Sequence, residues 1–316
     1  MPDKRIALHA AFVLLLPVVV AGFGWSVWTA LLLVLLAIVW RWAIVLHGFM
    51  RPPAAPEMLL ETISASHFVE KVRWCMDRLR LDYEEAPWCG TLGAFYLGRT
   101  VPRLHFRTGI VRSQIGNSPE ILRYLWGAYG TSHGSAAAFL EPTAERLELE
   151  RSIDRCGVSL QVWIYYHLLG VPDLCKEAWG VQSELVPAWQ RRLVGALFPV
   201  QAFMIRKAFG VNESNYRKSC ERIEALLGET ERQLVDGRRS ILGGDTVNYT
   251  DLAFAAIQGA WLQPAGYGGG AGIRIERSRA PAAMRQDIER WIEDYPRATR
   301  FIEDLYASER KPGRGS

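Results

Sequence analysis

Two long apolar stretches follow one another inside the first fifty residues, and they constrain everything the rest of the chain can be. Ile6 to Phe23 is an apolar run but for His9, with Pro17 inside it. At helical rise it spans about 27 Å, close to the hydrocarbon thickness of a bilayer. Trp25 to Leu46 is a second run, interrupted by Ser26, Thr29 and Arg41. Trp25 and Trp28 stand at one end and Trp40 and Trp42 at the other, as two interfacial aromatic belts would. Arg41 can snorkel to the interface. Residues 1–50 therefore read as a transmembrane helical hairpin. Lys4-Arg5 before an apolar stretch also suits a signal peptide, but the run is long, no small-x-small cleavage site follows, and a second span comes at once. A monotopic hairpin that dips into one leaflet stays open, through Pro17 and the turn Gly22-Phe23-Gly24. Lys4, Arg5, Arg41 and Arg51 flank the outer ends, while the turn carries no charge. The positive-inside rule then puts both termini, and the soluble body, on the cytoplasmic side of a bacterial inner membrane. Residues 51–57, Arg-Pro-Pro-Ala-Ala-Pro-Glu, form a stiff linker.

About 265 residues follow, enough for two ordinary domains. With 49% hydrophobic and 22% charged residues, the chain can bury a core. Its net charge is +4, of which four basic residues and one acid in the anchor region supply +3, leaving +1 on the body. A nucleic-acid partner would need a clustered basic face, and none is visible. The five cysteines are widely spaced without a CxxC, which opposes a disulfide framework and a metal site and fits a reducing compartment. Two glycosylation-type triplets, at Asn212 and Asn248, are of the kind chance supplies.

The body opens with a short apolar strand, Met58 to Ile63, and a turn through Ser64 to His67. Phe68, Val72, Met76 and Leu79 then recur with helical period, and Ser66 precedes them as a natural N-cap. Tyr83 to Ala86 is a second strand candidate. After a Gly-containing loop, Thr100 to Phe106 pairs across Thr108-Gly109 with the strand that starts at Ile110-Val111. Gly116-Asn117-Ser118 then caps a helix with Ile121, Leu122 and Leu125. The order β-α-β-(α)-β-β-α over 58–130 is that of a thioredoxin-like domain.

Three motifs in this stretch resemble the glutathione transferase family. Leu59 to Trp74, with Ser-His-Phe-Val-Glu-Lys-Val-Arg-Trp, is similar to a bacterial and plant subgroup that reads Ser-His-Phe/Tyr-Cys-Glu-Lys-Ala-Arg-Trp. Val101-Pro102 matches the family's cis-proline before the third strand. Asn117-Ser118 matches its acidic-Ser pair, which holds the glutamyl end of glutathione. Each motif is weak alone; in order, over Leu59 to Leu125, they are specific. The resemblance implies glutathione as co-substrate, Ser66 as the residue that activates its thiol, and Val101, Pro102, Asn117 and Ser118 as its binding residues.

Elementary chemistry agrees with those roles. A helix start carries partial positive charge and unpaired N–H groups, so a hydroxyl held there can donate to sulfur and lower its pKa. The peptide of Val101 can pair with an extended tripeptide, and the N–H groups at Ser118 can bind a carboxylate. Blander readings stand beside these. Ser66 and Ser118 are caps in any case, Ser64 is the alternative hydroxyl, and the site can also work with no hydroxyl at all. His67 reads as solvent-facing or locally bonded rather than as a base. Two departures weigh against full transfer: Val69 replaces the subgroup's Cys, and Asn117 replaces an acid that would face the glutathione amine.

From Glu141 the chain reads as helices broken at Gly170-Val171-Pro172, Gly210-Val211-Asn212 and Asp236-Gly237, an all-α domain over 141–310. Pro142 sits near the first turn of the opening helix. Asn248 and Asp251 form a capping box, with Val247 and Leu252 as its hydrophobic staple, similar to the family's buried N-capping motif. Trp163, Tyr165, Tyr166 and His167 border the family's electrophile site or pack in the core. Tyr267 to Gly272 reads as a mobile loop without the features of a phosphate loop. The expected whole is an α/β thioredoxin-like domain followed by an all-α helical domain, glutathione-transferase-like, preceded by two transmembrane helices. The function it implies is a membrane-anchored transferase that turns glutathione on an apolar electrophile, with lipid as neighbour and homodimerisation open. The alternative is a non-catalytic binding or scaffold protein on the same fold. A glutathione-dependent reductase or dehalogenase is weakened by the missing Cys.

Overall fold

The computed structural model of the protein describes residues 26–50, 56–90, 101–108, 111–269 and 272–310, together with Leu15, Gly22 and Leu92. The chain divides into two compact units. One comprises Met1–Pro56 with Arg107–Arg112, the other Glu57–Phe106 with Ser113–Ser316.

In the first unit the helix α1 (Val27–Met50) carries the second apolar run. Its stretch Trp28–Leu46 has mean hydropathy 2.4 and is the one helix among the described residues long and apolar enough to cross a membrane. Its tryptophans and all its leucines but Leu33 are exposed. The first expected span, Ile6 to Phe23, apart from Leu15 and Gly22, and residues 51–55 of the expected linker 51–57 lie outside the described residues, while Glu57 already opens the first strand.

The second unit starts with β1 (Glu57–Ile63), α2 (His67–Arg78), β2 (Glu84–Trp88), β3 (Arg103–Thr108), β4 (Val111–Gly116) and α3 (Ser118–Tyr129). The sheet order is β2-β1-β3-β4. β1 and β2 pair in parallel, from Leu59 opposite Glu84 to Ile63 opposite Trp88, as a crossover through α2 requires. Met58, Leu60 and Leu104 turn to the core, where α2 supplies Val69, Val72 and Met76 and α3 supplies Ile121, Leu122 and Leu125. This is a thioredoxin-like layer.

The remainder is helical: α4 (Ala144–Leu168), α5 (Pro172–Ala178), α6 (Ala188–Ala208), α7 (Glu213–Gln233), α8 (Tyr249–Leu262), α9 (Ala282–Asp294) and α10 (Pro296–Ser308). The breaks at 170, 210 and 236 fall where Gly and Pro punctuate the sequence. A further break, at 179–187, was not legible. Pro142 lies just before α4, next to its N-cap Thr143, which accepts from the Arg146 N–H at 3.3 Å. Pairing of α4 with α7 builds the helical layer, and α8 lies between α4 and α2. Every residue of α8 is buried, as suits a helix apolar on all sides. Where α4 crosses Phe68 of α2 the approach is close: a Cβ on Gly157 would stand 2.8 Å from the Phe68 ring, which would have to shift.

The Asn248 box forms as expected. The Asp251 carboxylate accepts from the Asn248 and Ile241 N–H groups, both at 2.8 Å, and Asn248 accepts from the Thr250 N–H at 2.9 Å. Val247 and Leu252 are buried in the core.

Candidate functional site

β1 runs straight into the turn that ends at Ser66, and β3 runs out of Pro102; β1 and β3 are hydrogen-bonded neighbours. Ser66 is the N-cap of α2, with its hydroxyl oxygen accepting from the Val69 N–H at 3.4 Å. A hydroxyl that accepts in this way keeps its own proton free to donate. The side chain is half-buried. Ser64, the alternative hydroxyl, is buried beneath later parts of the chain. Its carbonyl accepts from the Ile273 N–H at 3.1 Å. Its side chain lies against Gly180, where φ is +82° and a Cβ would come within 2.9 Å of the Ser64 hydroxyl. Of the two, Ser66 is the one with access to a ligand.

The Val101–Pro102 peptide bond is cis. The Pro102 carbonyl accepts from the Asn117 N–H at 3.1 Å, which brings the second and third motifs side by side. Asn117 is exposed and adopts φ 72°, ψ 132°, a conformation that costs a non-glycine residue about 1–3 kcal/mol. It occupies the N-cap position of α3 but makes no side-chain capping bond. Ser118 is therefore not a cap, as the sequence suggested, but the first helical residue. Its side chain is 1% exposed, and its hydroxyl has no hydrogen-bond partner among the described residues. A buried unpaired hydroxyl at a helix start is costly unless something else meets it. Among the described residues no hydrogen bond links Ser66 with Pro102 or Ser118; the sheet alone sets their spacing.

His67 differs from expectation. It is neither solvent-facing nor locally bonded: its Nε2 lies 3.0 Å from the Gly157 carbonyl on α4, and burial pushes its pKa down to about 4. A neutral ring donating to a carbonyl across the layers is a structural tie. Val69, in place of the subgroup's Cys, is fully buried. All five cysteines are buried, and burial pushes each thiol up to about 12. None is a thiolate near neutral pH.

The rest of the first motif holds the two layers together, a role that sequence reasoning missed. Lys71, fully buried, meets Glu150 and Asp154 of α4, both at 2.8 Å. Arg123 also meets Glu150, at 2.8 Å. Burial works to raise the Glu150 carboxyl, but Lys71 and Arg123 outweigh it and hold it below the usual range. Glu70 takes Arg73 at 2.9 Å and Arg310, from the end of the helical layer, at 2.8 Å; Arg73 grips Glu85 of β2 with two bonds. The signal was present: three charges, at 70, 71 and 73, lie inside an apolar helical repeat.

Trp163 and His167 are core residues. Both face the Asp287 carboxylate, with Trp163 Nε1 at 2.9 Å and His167 Nε2 at 3.3 Å, while the Tyr216 hydroxyl donates to it at 2.7 Å. Tyr166 stacks on Tyr216. The loop after α8 is tied down where it is described: Tyr267 is buried against Gly259, and Ile273 bonds Ser64. No metal-binding cluster occurs among the described residues.

The sheet order, the cis bond before β3 and the helical layer on α2 make this a thioredoxin-like domain followed by an all-α one. No protein-family model matches the chain, and no curated protein matches its sequence. Several solved structures resemble it. A glutathione S-transferase from Methylobacterium radiotolerans, in complex with glutathione sulfonate, is 17% identical, with 82% of this chain and 97% of that one covered at TM-score 0.48. A glutathione transferase family member from Pseudomonas fluorescens, with two glutathione bound, is 13% identical, covering 79% and 88% at TM-score 0.46. FzlA from C. crescentus is 14% identical, covering 82% and 95% at TM-score 0.41. At such identities and scores these likenesses decide nothing about chemistry, which has to come from this chain's own residues.

Proposed function

We propose that this protein is a membrane-anchored glutathione transferase, with its body on the cytoplasmic side. The observation that carries the reading is the start of α3: the strained, exposed Asn117 beside the Pro102 carbonyl and Ser118, whose hydroxyl has no hydrogen-bond partner among the described residues. Such a cradle suits the carboxylate and backbone of a small peptide. Glutathione seated with its glutamyl end at Ser118 and its backbone along Val101 would bring its sulfur toward the start of α2. There the Ser66 hydroxyl would donate to the sulfur and favour the thiolate, helped by the positive end of the helix. The thiolate then forms a sulfur–carbon bond with an apolar electrophile, which loses a leaving group or takes up a proton. No cysteine of the chain competes for this role, since all five stay protonated. Anchoring through α1 suits electrophiles that partition into lipid.

Full-length protein in detergent should bind glutathione resin and elute with free glutathione. The Ser66→Ala variant should still bind but conjugate model electrophiles about 10–100-fold more slowly, as expected when a stabilising donor to the reacting atom is lost. Retention without any conjugation by the wild-type protein would favour the binding-module reading, for which the uncharged Asn117 speaks. Neither retention nor conjugation would sink both.

A further inference from the structure

Helix α6 is apolar on two opposite faces. Its inner face, Val194, Phe198 and Ile205, is buried. Its outer face repeats at 189, 193, 200 and 203, one stripe at helical spacing, and these residues are open to solvent: Trp189 58%, Leu193 38%, Val200 51% and Phe203 61% exposed. Leu185, one turn earlier, is 61% exposed. A helix apolar all round is normally enclosed; this one packs mainly on α5 and leaves half its apolar surface uncovered. Its charge is also one-sided. Arg191, Arg192, Arg206 and Lys207 lie on it, and no acidic residue occurs between Glu184 and Glu213. Arg192, Arg206 and Lys207 are exposed, and the Lys207 ammonium stands 5.9 Å from the Phe203 ring centre.

We infer that α6 is a second membrane contact: it docks on an anionic bilayer surface, with Trp189, Leu193, Val200 and Phe203 in the headgroup–acyl boundary and the basic residues on the lipid phosphates. An apolar stripe edged by Arg and Lys, with Trp at its end, is the composition of an interfacial helix. A second copy of the chain fits the face less well. In a two-fold dimer across this stripe each subunit would present the same acid-free basic helix to the other, and like charges would meet. The choice of lipid rests in part on the anchor reading of α1, so the test separates the two.

The five native cysteines are buried, so Phe203→Cys in the full chain offers one accessible thiol for a polarity-sensitive fluorophore. The labelled protein is reconstituted into phosphatidylcholine vesicles with or without about 30% phosphatidylglycerol. In the anionic vesicles the probe should shift to the blue and be quenched by acyl-chain-brominated lipid at least about threefold more than a probe at Glu221→Cys on the exposed side of α7. Arg192→Glu with Arg206→Glu, or salt near 0.5 M, should remove about half of that quenching or more. Equal quenching at 203 and 221, with the protein floating with the vesicles, overturns the docking and leaves the anchor standing. Failure to float overturns both. A disulfide-linked dimer of unlabelled Phe203→Cys formed in detergent, with no lipid-dependent shift, assigns the face to a second copy and overturns the proposal.

Discussion

Two helix starts in this protein carry the same kind of residues and end in opposite states. At α8, Asn248 and Asp251 are buried, and every oxygen of the cap meets a donor: Asp251 takes two backbone N–H groups, and Asn248 takes Thr250 through both its N–H and its hydroxyl. At α3, Asn117 makes no side-chain capping bond and holds φ 72°, while the Ser118 hydroxyl is buried without a partner among the described residues. A polar group that is satisfied internally stabilises the fold and has nothing left to offer a ligand. One that is buried and unsatisfied destabilises the fold until a ligand arrives. The first start is therefore read as serving folding and the second as serving binding. The comparison makes opposite forecasts for substitutions at the two places.

The largest effect is expected at Asp251. Asp251→Ala leaves the Asn248 and Ile241 N–H groups buried without an acceptor and should cost about 3 kcal/mol. In a body of this size that is a fall in melting temperature of roughly 6–12 °C at neutral pH, followed by thermal unfolding of the full chain in detergent. Glutathione affinity of the folded fraction should not change. A melting temperature within a degree of wild type would break the distinction at its stronger end. The same carboxyl gives a pH signature. Burial pushes Asp251 up to about 6, and the N–H bonds from Asn248 and Ile241 offset this only in part. Its unfolded value is near 3.9. Between about pH 4 and 6 the folded state holds a proton that the unfolded chain releases. The stability tied to that proton, up to about 3 kcal/mol, is complete below about pH 4 and is lost as pH rises through 6. The melting-temperature difference between wild type and Asp251→Asn should shift toward the variant as pH rises from about 4.5 to 7. A constant difference would mean that the carboxyl does not titrate there.

The sequence showed the α8 cap fully and the α3 site only in outline, for a physical reason. A capping box is local: Asn248 and Asp251 stand three apart, and the donors of the box itself come from the same turn, so spacing predicts those bonds, though not the one from the Ile241 N–H ten residues earlier. The Ser66 cap was legible on the same ground. Whether Ser118 has a partner depends on what the fold brings to it from elsewhere, and no spacing reports that. The burial of Ser64 was equally hidden, since Gly180 and Ile273 cover it from 116 and 209 residues away. His67 was misread because its partner, Gly157, is 90 residues distant. The thioredoxin-like order of strands followed from apolar alternation and turn residues. The ion pairs of Glu70, Lys71 and Arg73 did not, because their partners, apart from that between Glu70 and Arg73, come from β2, α4 and the chain's last described residue.

At the second helix start the effects should be smaller and carry the opposite sign. Ser118→Ala removes a hydroxyl that has no partner among the described residues, so the melting temperature should hold or rise slightly. Glutathione affinity, measured by calorimetry on the full chain, should fall about tenfold, the equivalent of one hydrogen bond to a charged group. A loss of stability as large as that of Asp251→Ala would show that the hydroxyl serves the fold, and the two starts would then be alike.

The finest test is Asn117→Gly. Glycine takes φ 72° without the steric cost that Asn bears there, a relief of about 1–3 kcal/mol, against which stands about 0.5–1 kcal/mol for the greater freedom of the unfolded chain. The net gain should be about 1 kcal/mol, a rise of roughly 2–4 °C. If the side-chain amide meets the glutamyl end of glutathione, affinity should fall severalfold in the same variant. Stability and binding would then move in opposite directions at one residue, which is the behaviour of a backbone held under strain for a ligand. A variant that is more stable and binds as well as wild type would show that the strain belongs to the turn between β4 and α3 alone, and the binding role would rest on Ser118.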